Sequence, residues 1–340
     1  MTETVVITGA AGGVGRATAR AFAARGCRIV LVARGVEALH AAAREVEEAG
    51  GQALVVPADV ASADAVEAAA VAAEEKFGPI DIWVNVAMTT IFAPVHRITP
   101  DEFRRATEVS YLGFVYGTMA ALKRMRPRGR GTIVQVGSAL SYRAVPLQSP
   151  YCGAKFAIRG FTQSLQSELI HDRVDIHLTM VQMPALNTPQ FTWARNKMPR
   201  RPQPVPPIFQ PEVAARAILY AAYSRRHEVW VGTPTLKAII ANKIVPGLLT
   251  RYLARTGYDS QMTNEPADPD APDNLFEPLP GDYGAHGRFD QRATDTCVQL
   301  WVSRHRTELL GAAGLALGLA AAYSLVSRAV SRARLPARSI

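Results

Sequence analysis

The chain of 340 residues is long enough for one large α/β domain or for two smaller domains. A hydrophobic fraction of 48% and a charged fraction of 20% exclude an acidic disordered chain, a fibrous repeat and a polytopic membrane protein. The formal net charge of +9 comes from arginines that are scattered along the chain, so we expect no nucleic-acid partner.

Apolar runs alternate with amphipathic stretches of helical period between Val5 and Val231, which is typical of β-α-β units and a parallel sheet. We predict an α/β fold with a doubly wound, mostly parallel, seven-stranded Rossmann-like sheet and a C-terminal extension. Predicted strands span residues 4–8, 28–33, 53–56, 80–86, 132–136, 175–181 and 228–231. Predicted helices span residues 14–25, 36–49, 63–77, 100–125, 151–169 and 212–223. Thr99 and Glu102 are expected to form a capping box at the start of the fourth helix.

Two regions depart from this pattern. Seven prolines between residues 186 and 211 exclude a continuous helix and predict a semi-rigid loop. After Gly232, short helices are predicted at 236–245 and 247–255, and the Pro- and Asp-rich residues 265–282 are expected to be an extended connector with few core contacts. The predicted organisation is a Rossmann domain (1–232), an extension with its connector (233–307), an apolar helix (308–328) and a basic tail (329–340).

A glycine-rich turn, Thr8-Gly9-Ala10-Ala11-Gly12-Gly13-Val14-Gly15, separates the first strand from the first helix. Glycines in such a turn let the backbone approach a pyrophosphate, and the helix N-terminus offers free N–H groups to it. The candidate contacts of a dinucleotide cofactor are therefore Thr8, Gly9, Gly13, Val14 and Gly15. A glycine-rich turn alone is also compatible with a tight β-α connection.

The end of the second strand carries Ala33 and Arg34, where an NAD-specific site is expected to place an acidic residue for the ribose hydroxyls. Without that carboxylate a 2′-phosphate is not repelled, and Arg34 can pair with it in bidentate fashion. This favours NADP(H) over NAD(H) as cofactor. The alternative is that Arg34 is a solvated residue at the start of a helix.

A tyrosine and a lysine, Tyr151 and Lys155, lie four residues apart and share one face of a predicted helix. Ser138 precedes Tyr151 by thirteen residues and follows the fifth strand, at the carboxyl edge of the sheet where open α/β folds bind ligands. The alternative is a core tyrosine beside a lysine whose aliphatic stem is buried.

Together these residues resemble the short-chain dehydrogenase/reductase family over about residues 3–232. In that family Asp59 and Val60 look like the adenine contact, and Asn85-Val86-Ala87 looks like the Asn-Asn-Ala-Gly segment, from which Val86 and Met88 depart. The substrate-side Pro-Gly motif appears as Pro184-Ala185. Thr188 matches the threonine that holds the nicotinamide carboxamide or the phosphates.

The resemblance implies an oxidoreductase that interconverts a carbonyl and an alcohol by hydride transfer with NAD(P). Tyr151 would be the acid-base group, Lys155 would lower the pKa of Tyr151 and bind the nicotinamide ribose, and Ser138 would donate to the substrate oxygen. Ser110 stands where the family usually has an asparagine that holds a water in the proton relay, so we expect an altered relay. The alternatives are an epimerase or dehydratase with the same site, and a non-catalytic NADP-binding protein.

The substrate is expected to bind beneath the loop of residues 186–211. This loop combines apolar with basic side chains, which are Phe191, Trp193, Met198, Ile208 and Phe209, and Arg195, Lys197, Arg200 and Arg201. They predict an apolar pocket with a basic mouth, suited to a lipophilic small molecule with an anionic end. The alternative is that the loop's apolar side chains pack on one another.

An uncharged run at residues 309–327 is just long enough to cross a hydrocarbon core. We interpret it as a membrane anchor, with an interfacial helix or a helix packed against protein as alternatives. Three widely spaced cysteines, Cys27, Cys152 and Cys297, suggest neither a disulfide framework nor a zinc site. No export signal is apparent at the start. We therefore expect a cytoplasmic catalytic domain without metal, associated with a membrane and forming a homo-oligomer.

Overall fold

Seven strands form one central sheet in the computed structural model, which describes residues 2–333. The strands are β1 (Thr4–Thr8), β2 (Arg28–Ala33), β3 (Gln52–Pro57), β4 (Ile82–Asn85), β5 (Arg130–Ser138), β6 (Asp175–Met183) and β7 (Glu228–Trp230). Their spatial order is β7-β6-β5-β4-β1-β2-β3, and every neighbouring pair is parallel. The predicted doubly wound α/β sheet is confirmed. It is entirely parallel.

Helices connect these strands and cover both faces of the sheet. They are α1 (Gly13–Ala23), α2 (Val36–Glu48), α3 (Ala63–Phe77), α4 (Pro100–Thr107), α5 (Gly113–Arg128), α6 (Ser149–His171), α7 (Gln190–Trp193) and α8 (Pro211–Tyr223). The predicted capping box begins α4, where Thr99 accepts from the Glu102 backbone and the Glu102 carboxylate accepts from the Thr99 backbone. A π-helical turn, Glu108–Leu112, separates α4 from α5 inside the single helix that the sequence predicts.

The order of the strands determines where a ligand crevice forms at the edge of the sheet. β1 and β4 are neighbours although they are not consecutive, and the chain winds outward from them in both directions. Loops that follow the carboxyl ends of adjacent strands diverge at this point and leave a crevice, which is where open α/β sheets bind ligands. The glycine turn follows β1, and Ser138 ends β5 at the same edge.

The extension packs on the sheet domain, so the expectation of a connector with few contacts is wrong. Helices α9 (Thr233–Ile244) and α10 (Pro246–Thr256) are followed by residues that bury Leu275 completely and leave Phe289 only 5% exposed. Short strand pairs also tie the proline-rich loop down. They are Arg195–Asn196 with Ile91–Phe92, Arg200–Pro202 with Met262–Pro266, and Ile208–Phe209 with Ala293–Thr294.

The chain divides into two compact units between Cys297 and Val298. The second unit contains α11 (Val298–Arg304) and α12 (Arg306–Ala333). Within the described residues, one helical stretch, Arg306–Leu325, is long and apolar enough to cross a membrane by length and composition. Part of the predicted basic tail, residues 334–340, lies outside the described residues. The four-part division that we infer from the sequence remains a proposal.

Candidate active site

A cavity of about 450 Å³ opens at the carboxyl edge of the sheet and has the size of a typical ligand pocket. It brings together thirteen of the residues that the sequence suggests. They are Gly9, Gly13, Val14, Gly15, Arg34, Asp59, Val60, Ala87, Ser138, Tyr151, Lys155, Pro184 and Thr188. Residues that are far apart in the chain therefore meet at one site, as the strand order requires.

Three suggested residues, Thr8, Asn85 and Ser110, do not line this cavity. Thr8 lies beneath the glycine turn, where its hydroxyl accepts hydrogen bonds from the backbone N–H groups of Val86 (3.1 Å) and Ala87 (3.3 Å). The Ser110 hydroxyl is fully buried and bonds to the backbone of the loop after β4. Both residues fix the loop that forms one wall of the cavity.

Asn85 belongs to a buried polar network under the same wall. Its side-chain oxygen accepts from the Trp83 indole at 2.8 Å, and its amide nitrogen donates to Gln135 at 3.0 Å and to Thr118 at 3.2 Å. All four side chains are buried, and their polar atoms satisfy one another between β4, β5 and α5. Asn85 therefore acts on the cavity through the position of β4.

Ser138, Tyr151 and Lys155 line the cavity side by side. Tyr151 and Lys155 share one face of α6, and the Lys155 ammonium lies 5.4 Å from the centre of the Tyr151 ring. The same ammonium donates to the Val136 carbonyl oxygen at 2.7 Å and lies 4.5 Å from the centre of the Phe114 ring. Lys155 is 1% exposed, so these contacts fix its head group under the cavity floor.

Burial dominates the acid-base behaviour of this pair. It raises the pKa of the Tyr151 phenol, and a hydrogen bond with Ser138 lowers it by less. Burial also lowers the pKa of Lys155 to about 7. The expected lowering of the Tyr151 pKa by Lys155 is therefore not seen, because a desolvated lysine is only partly charged near neutral pH. Burial therefore favours the protonated phenol.

Neighbouring segments of the chain pack closely against the glycine turn. Gly9 has φ of +69°, a conformation that side chains rarely adopt, and a Cβ there would lie 2.8 Å from the Ala87 Cα. Thr188 lies on the other side of the turn, where a Cβ on Gly13 would come within 3.3 Å of the Thr188 Cβ. The turn, the loop after β4 and the segment after β6 thus form one narrow cradle.

Arg34 and Asp59 lie at the other end of the cavity, at the ends of β2 and β3. The Arg34 guanidinium donates to the backbone carbonyl oxygens of Asn274 and Phe276. Asp59 accepts from the Ala61 backbone N–H at 3.0 Å and forms an ion pair with Arg105. The sequence does not predict these contacts of Arg34 with the extension.

The basic mouth that the sequence suggests does not form at the cavity. Arg195 and Lys197 both bind the Glu102 carboxylate, at 2.9 and 2.7 Å. Burial raises the pKa of Glu102, but hydrogen bonds from Lys197, the Thr99 backbone and Arg195 outweigh it and lower that pKa to about 2. Arg200 and Arg201 form ion pairs with carboxylates of the extension, so all four cations tie the loop down.

The far end of the cavity is apolar with a few side-chain amides. Its lining includes Val145, Gln148, Met183, Leu186, Phe191, Gln203, Pro204, Val205, Leu253 and Gln261. The charged residues in the described lining are Arg34, Asp59 and Lys155, all on the glycine-turn side or at the cavity floor. Of the suggested loop residues, Phe191 and Trp193 line the cavity, while Met198 and Ile208 do not and belong with Phe191 to one apolar cluster.

Gln148 and Gln261 are lining residues that sequence reasoning missed. The Gln148 amide donates to the Gln261 side-chain oxygen at 2.6 Å, and the Gln261 amide donates to the Pro146 carbonyl at 2.9 Å. A single sequence gives no signal that joins residues 113 positions apart. The extension therefore contributes directly to the cavity wall.

Comparison with known proteins identifies the family. A family model described as short chain dehydrogenase matches residues 3–198. The chain belongs to the short-chain dehydrogenase family. The uncharacterized oxidoreductase YxnA of Bacillus subtilis (strain 168) is 32% identical to this short-chain dehydrogenase over 277 residues, which cover 81% of this chain and 78% of that protein.

Two further relatives agree with this assignment. The 3-dehydrosphinganine reductase of Danio rerio is 32% identical over 223 residues, which cover 63% of this chain and 67% of that protein. The solved structure of an alcohol dehydrogenase from the archaeon Thermococcus sibiricus, complexed with 5-hydroxy-NADP, matches with a TM-score of 0.59 at 27% identity. That match covers 68% of this chain and 96% of the solved chain. The protein is an NAD(P)-dependent oxidoreductase of the short-chain type.

The cavity fits a nicotinamide dinucleotide. The glycine turn lines the cavity between Arg34 at one end and Lys155 and Tyr151 at the other, which is the position that a pyrophosphate between two nucleosides requires. The donors along this path are backbone N–H groups, a hydroxyl, a guanidinium and an ammonium, which suit phosphates and ribose hydroxyls.

Proposed function

We propose that this short-chain dehydrogenase reduces the carbonyl group of an uncharged, lipophilic small molecule with NADPH. The observation that carries the proposal is the placement of Ser138, Tyr151 and Lys155 in one cavity with the glycine turn, next to an apolar end that carries no charge. The bound cofactor would supply the hydride. The remaining steps belong to side chains of this chain.

Tyr151 is proposed as the proton donor. The phenol is protonated at neutral pH, since its usual pKa is about 10 and burial raises it further, and it can give its proton to the strongly basic alkoxide that develops on the substrate. Ser138 donates to the same oxygen and stabilises its charge. Its hydroxyl accepts from the Leu140 backbone N–H at 3.1 Å, and its own proton, which bonds to the Tyr151 phenol oxygen here, would turn to the substrate oxygen. Lys155 is proposed to hold the nicotinamide ribose and to regain its charge when it does so.

An uncharged substrate is supported by the fate of the four loop cations. Each of them is paired with a carboxylate, and none lines the cavity. The amides of Gln148 and Gln261 offer hydrogen bonds without charge. The name of the relative from Danio rerio, a reductase, supports the direction of the reaction.

The preference for NADP(H) over NAD(H) is proposed on the position of Arg34. It lines the cavity directly after β2, where the chain has Ala33 and Arg34 in place of an acidic residue. The carboxylate that lines this end of the cavity, Asp59, follows β3 and is paired with Arg105. The residues proposed to contact the cofactor are Gly9, Gly13, Val14, Gly15, Arg34, Asp59, Val60, Ala87, Tyr151, Lys155, Pro184 and Thr188, which all line the cavity. Thr8 and Asn85 are proposed to position them.

Membrane association through Arg306–Leu325 and a homo-oligomer in the cytoplasm remain further proposals. The leucines of this helix are exposed, with Leu317 at 72%. Met119 on α5 and Phe156 on α6 are exposed apolar side chains that support contact with a second copy. Sedimentation of the detergent-solubilised protein tests the oligomer.

The decisive experiment follows NADPH absorbance with a panel of lipophilic ketones and aldehydes, each paired with an analogue that carries a carboxylate. We expect turnover with the uncharged members and a much higher KM for the charged ones. Product formation without net NADPH consumption would favour an epimerase or dehydratase. Tight NADPH binding without any product would favour a non-catalytic binding protein.

A further inference from the structure

Residues 273–284 of the extension, here called the strap, cross the cofactor side of the cavity. Five of them, Asn274, Pro278, Leu279, Gly281 and Tyr283, line the cavity together with Arg34 and the glycine turn. The strap therefore lies where the adenosine half of a dinucleotide is expected to bind. Several of its contacts there are made by oxygen atoms.

The strap oxygens bond to Arg34 and to the Gly13 N–H of the proposed phosphate site, and to Arg16, which lies outside the cavity lining. Arg34 donates to the carbonyl oxygens of Asn274 and Phe276, and the Asp282 carboxylate forms an ion pair with Arg16 on α1. At the last residue of the strap, the Gly284 backbone carbonyl oxygen accepts a hydrogen bond from the Gly13 N–H at 3.1 Å.

The glycine turn itself is covered by the same region. A Cβ on Gly12 would lie 3.0 Å from the Trp193 ring and 3.3 Å from the Gly284 carbonyl oxygen. Trp193 packs edge-on against Tyr283, with ring centres 5.1 Å apart. The space in front of the turn is thus shared between the loop and the strap.

Other contacts hold the strap at both ends. The Asp273 carboxylate accepts from Arg195 at 2.8 Å, and the Leu275 side chain is fully buried with Ile91 and Ala106. Near the other end, the Gly281 N–H donates to the Glu37 carboxylate at 2.9 Å. Leu275 makes the first end firm, whereas the second end is held by polar contacts, in which the carboxylates of Asp282 and Glu37 are at least partly exposed.

We propose that the strap is an intramolecular ligand of the cofactor site, whose oxygen atoms occupy the phosphate-binding donors and must leave when NADPH binds. The proposal rests on the proposed cofactor preference. Exchange is favourable because a phosphate dianion binds a guanidinium more strongly than neutral carbonyl oxygens do. Because only the open fraction of molecules can bind, the closed strap weakens the apparent affinity and limits the rate of binding.

The test is stopped-flow binding of NADPH, followed by its fluorescence, to the full chain and to Asp282→Ala. In the parent protein the observed rate should level off with NADPH concentration, because strap opening becomes limiting. Asp282→Ala should raise that plateau and tighten the apparent Kd about three- to tenfold. Asp295→Ala, which removes an exposed pair with Arg216 elsewhere in the extension, is the matched control and should change neither value.

Hydrogen exchange of the parent protein gives a readout that needs no variant. NADPH should speed exchange in peptides that cover the strap, whose Asn274 and Gly281 N–H groups are bonded in the closed form. Slower exchange there would overturn the proposal, as would equal binding kinetics of Asp282→Ala and the parent. Either result leaves the proposed function standing. Absence of binding in both proteins would overturn both proposals, whereas binding by Asp282→Ala alone would support the strap.

Discussion

Ser110 and the Thr89 backbone satisfy each other's hydrogen bonds. The Ser110 hydroxyl donates to the Thr89 carbonyl oxygen at 2.8 Å and accepts from the Thr89 N–H at 2.9 Å. The π-helical turn Glu108–Leu112 aims this side chain at the loop after β4. In this arrangement the hydroxyl proton is committed to the loop, so Ser110 positions the cavity wall and is not free to donate to a relay water.

Ser110→Ala is therefore expected to destabilise the protein by about 1–3 kcal/mol, because two buried backbone groups lose their partner. Urea unfolding measures the change. Ser167→Ala, which removes an exposed hydroxyl bond on α6, should change stability by much less. A shifted pH-rate profile with unchanged stability would instead assign Ser110 to proton transfer.

Tyr151→Phe should lower kcat about 100-fold or more and leave NADPH affinity nearly unchanged, because it removes the proposed proton donor without removing a charged contact. Steady-state rates and fluorescence titration separate the two quantities. Tyr142→Phe is a suitable control, since the Tyr142 hydroxyl bonds to Glu228 and does not line the cavity. If Tyr151→Phe kept most of the parent kcat, the proton donor would have to be another group.

Lys155 makes the stability of the protein depend on pH. Its pKa is lowered to about 7 in the folded state, so between about pH 7 and the usual lysine value near 10.5 the unfolded chain binds a proton that the folded chain does not. The contribution of Lys155 to folding stability therefore becomes less unfavourable as pH rises through this range.

Lys155→Met should accordingly raise the Tm of the cofactor-free protein at neutral pH, and the gain should shrink as pH approaches 10. Comparing the two proteins at each pH cancels the titration of other groups. Lys123→Met replaces an exposed lysine on α5 that pairs with Glu67 and provides the matched control. A gain that does not vary with pH would mean that Lys155 is not desolvated as the structure indicates.

The sheet could be predicted because each of its strands is recognisable from a short run of neighbouring residues. The bounds of β1 and β2 agree with prediction at both ends, since each contains an uninterrupted apolar run, Val5–Ile7 or Ile29–Ala33, and is followed by Gly9 or Arg34. The side chains that we propose as catalytic could be named from the sequence because the Tyr-x-x-x-Lys spacing and the position of Ser138 are also local. The direction of the pKa shift of Tyr151 could not be predicted, since it depends on burial that three-dimensional packing creates.

The strap could not be predicted, because its contacts join distant parts of the chain. Arg16 and Asp282 are 266 residues apart, and Arg34 and Asn274 are 240 residues apart. Neither pair leaves a periodic signal, and a Pro- and Asp-rich composition is equally typical of a free linker. For the same reason the expectation of a basic mouth was wrong. The carboxylates that pair with the loop cations lie in other elements, which a single sequence does not connect with the loop.

Arg34→Ala should weaken NADPH binding by about 1.5–3 kcal/mol, because a charge-assisted contact to the 2′-phosphate is lost. NADH affinity should stay equal or rise, since the same change releases the strap carbonyls at Asn274 and Phe276. Arg44→Ala, another arginine on the nearby α2, is the control. Fluorescence titration with both cofactors measures the effect. Equal losses for NADPH and NADH would remove the 2′-phosphate role.

Truncation after Arg306 should leave a folded, cofactor-binding protein that no longer associates with membranes. The unit that ends at Cys297 contains the whole cavity, the strap and the short strand pairs that close the loop, so the truncation removes none of their contacts. Fractionation of both forms with membranes, before and after a high-salt or carbonate wash, measures the association. Full-length protein that stays soluble would exclude the anchor, and release by the wash would favour an interfacial helix, because a spanning helix is held by apolar burial that salt does not weaken.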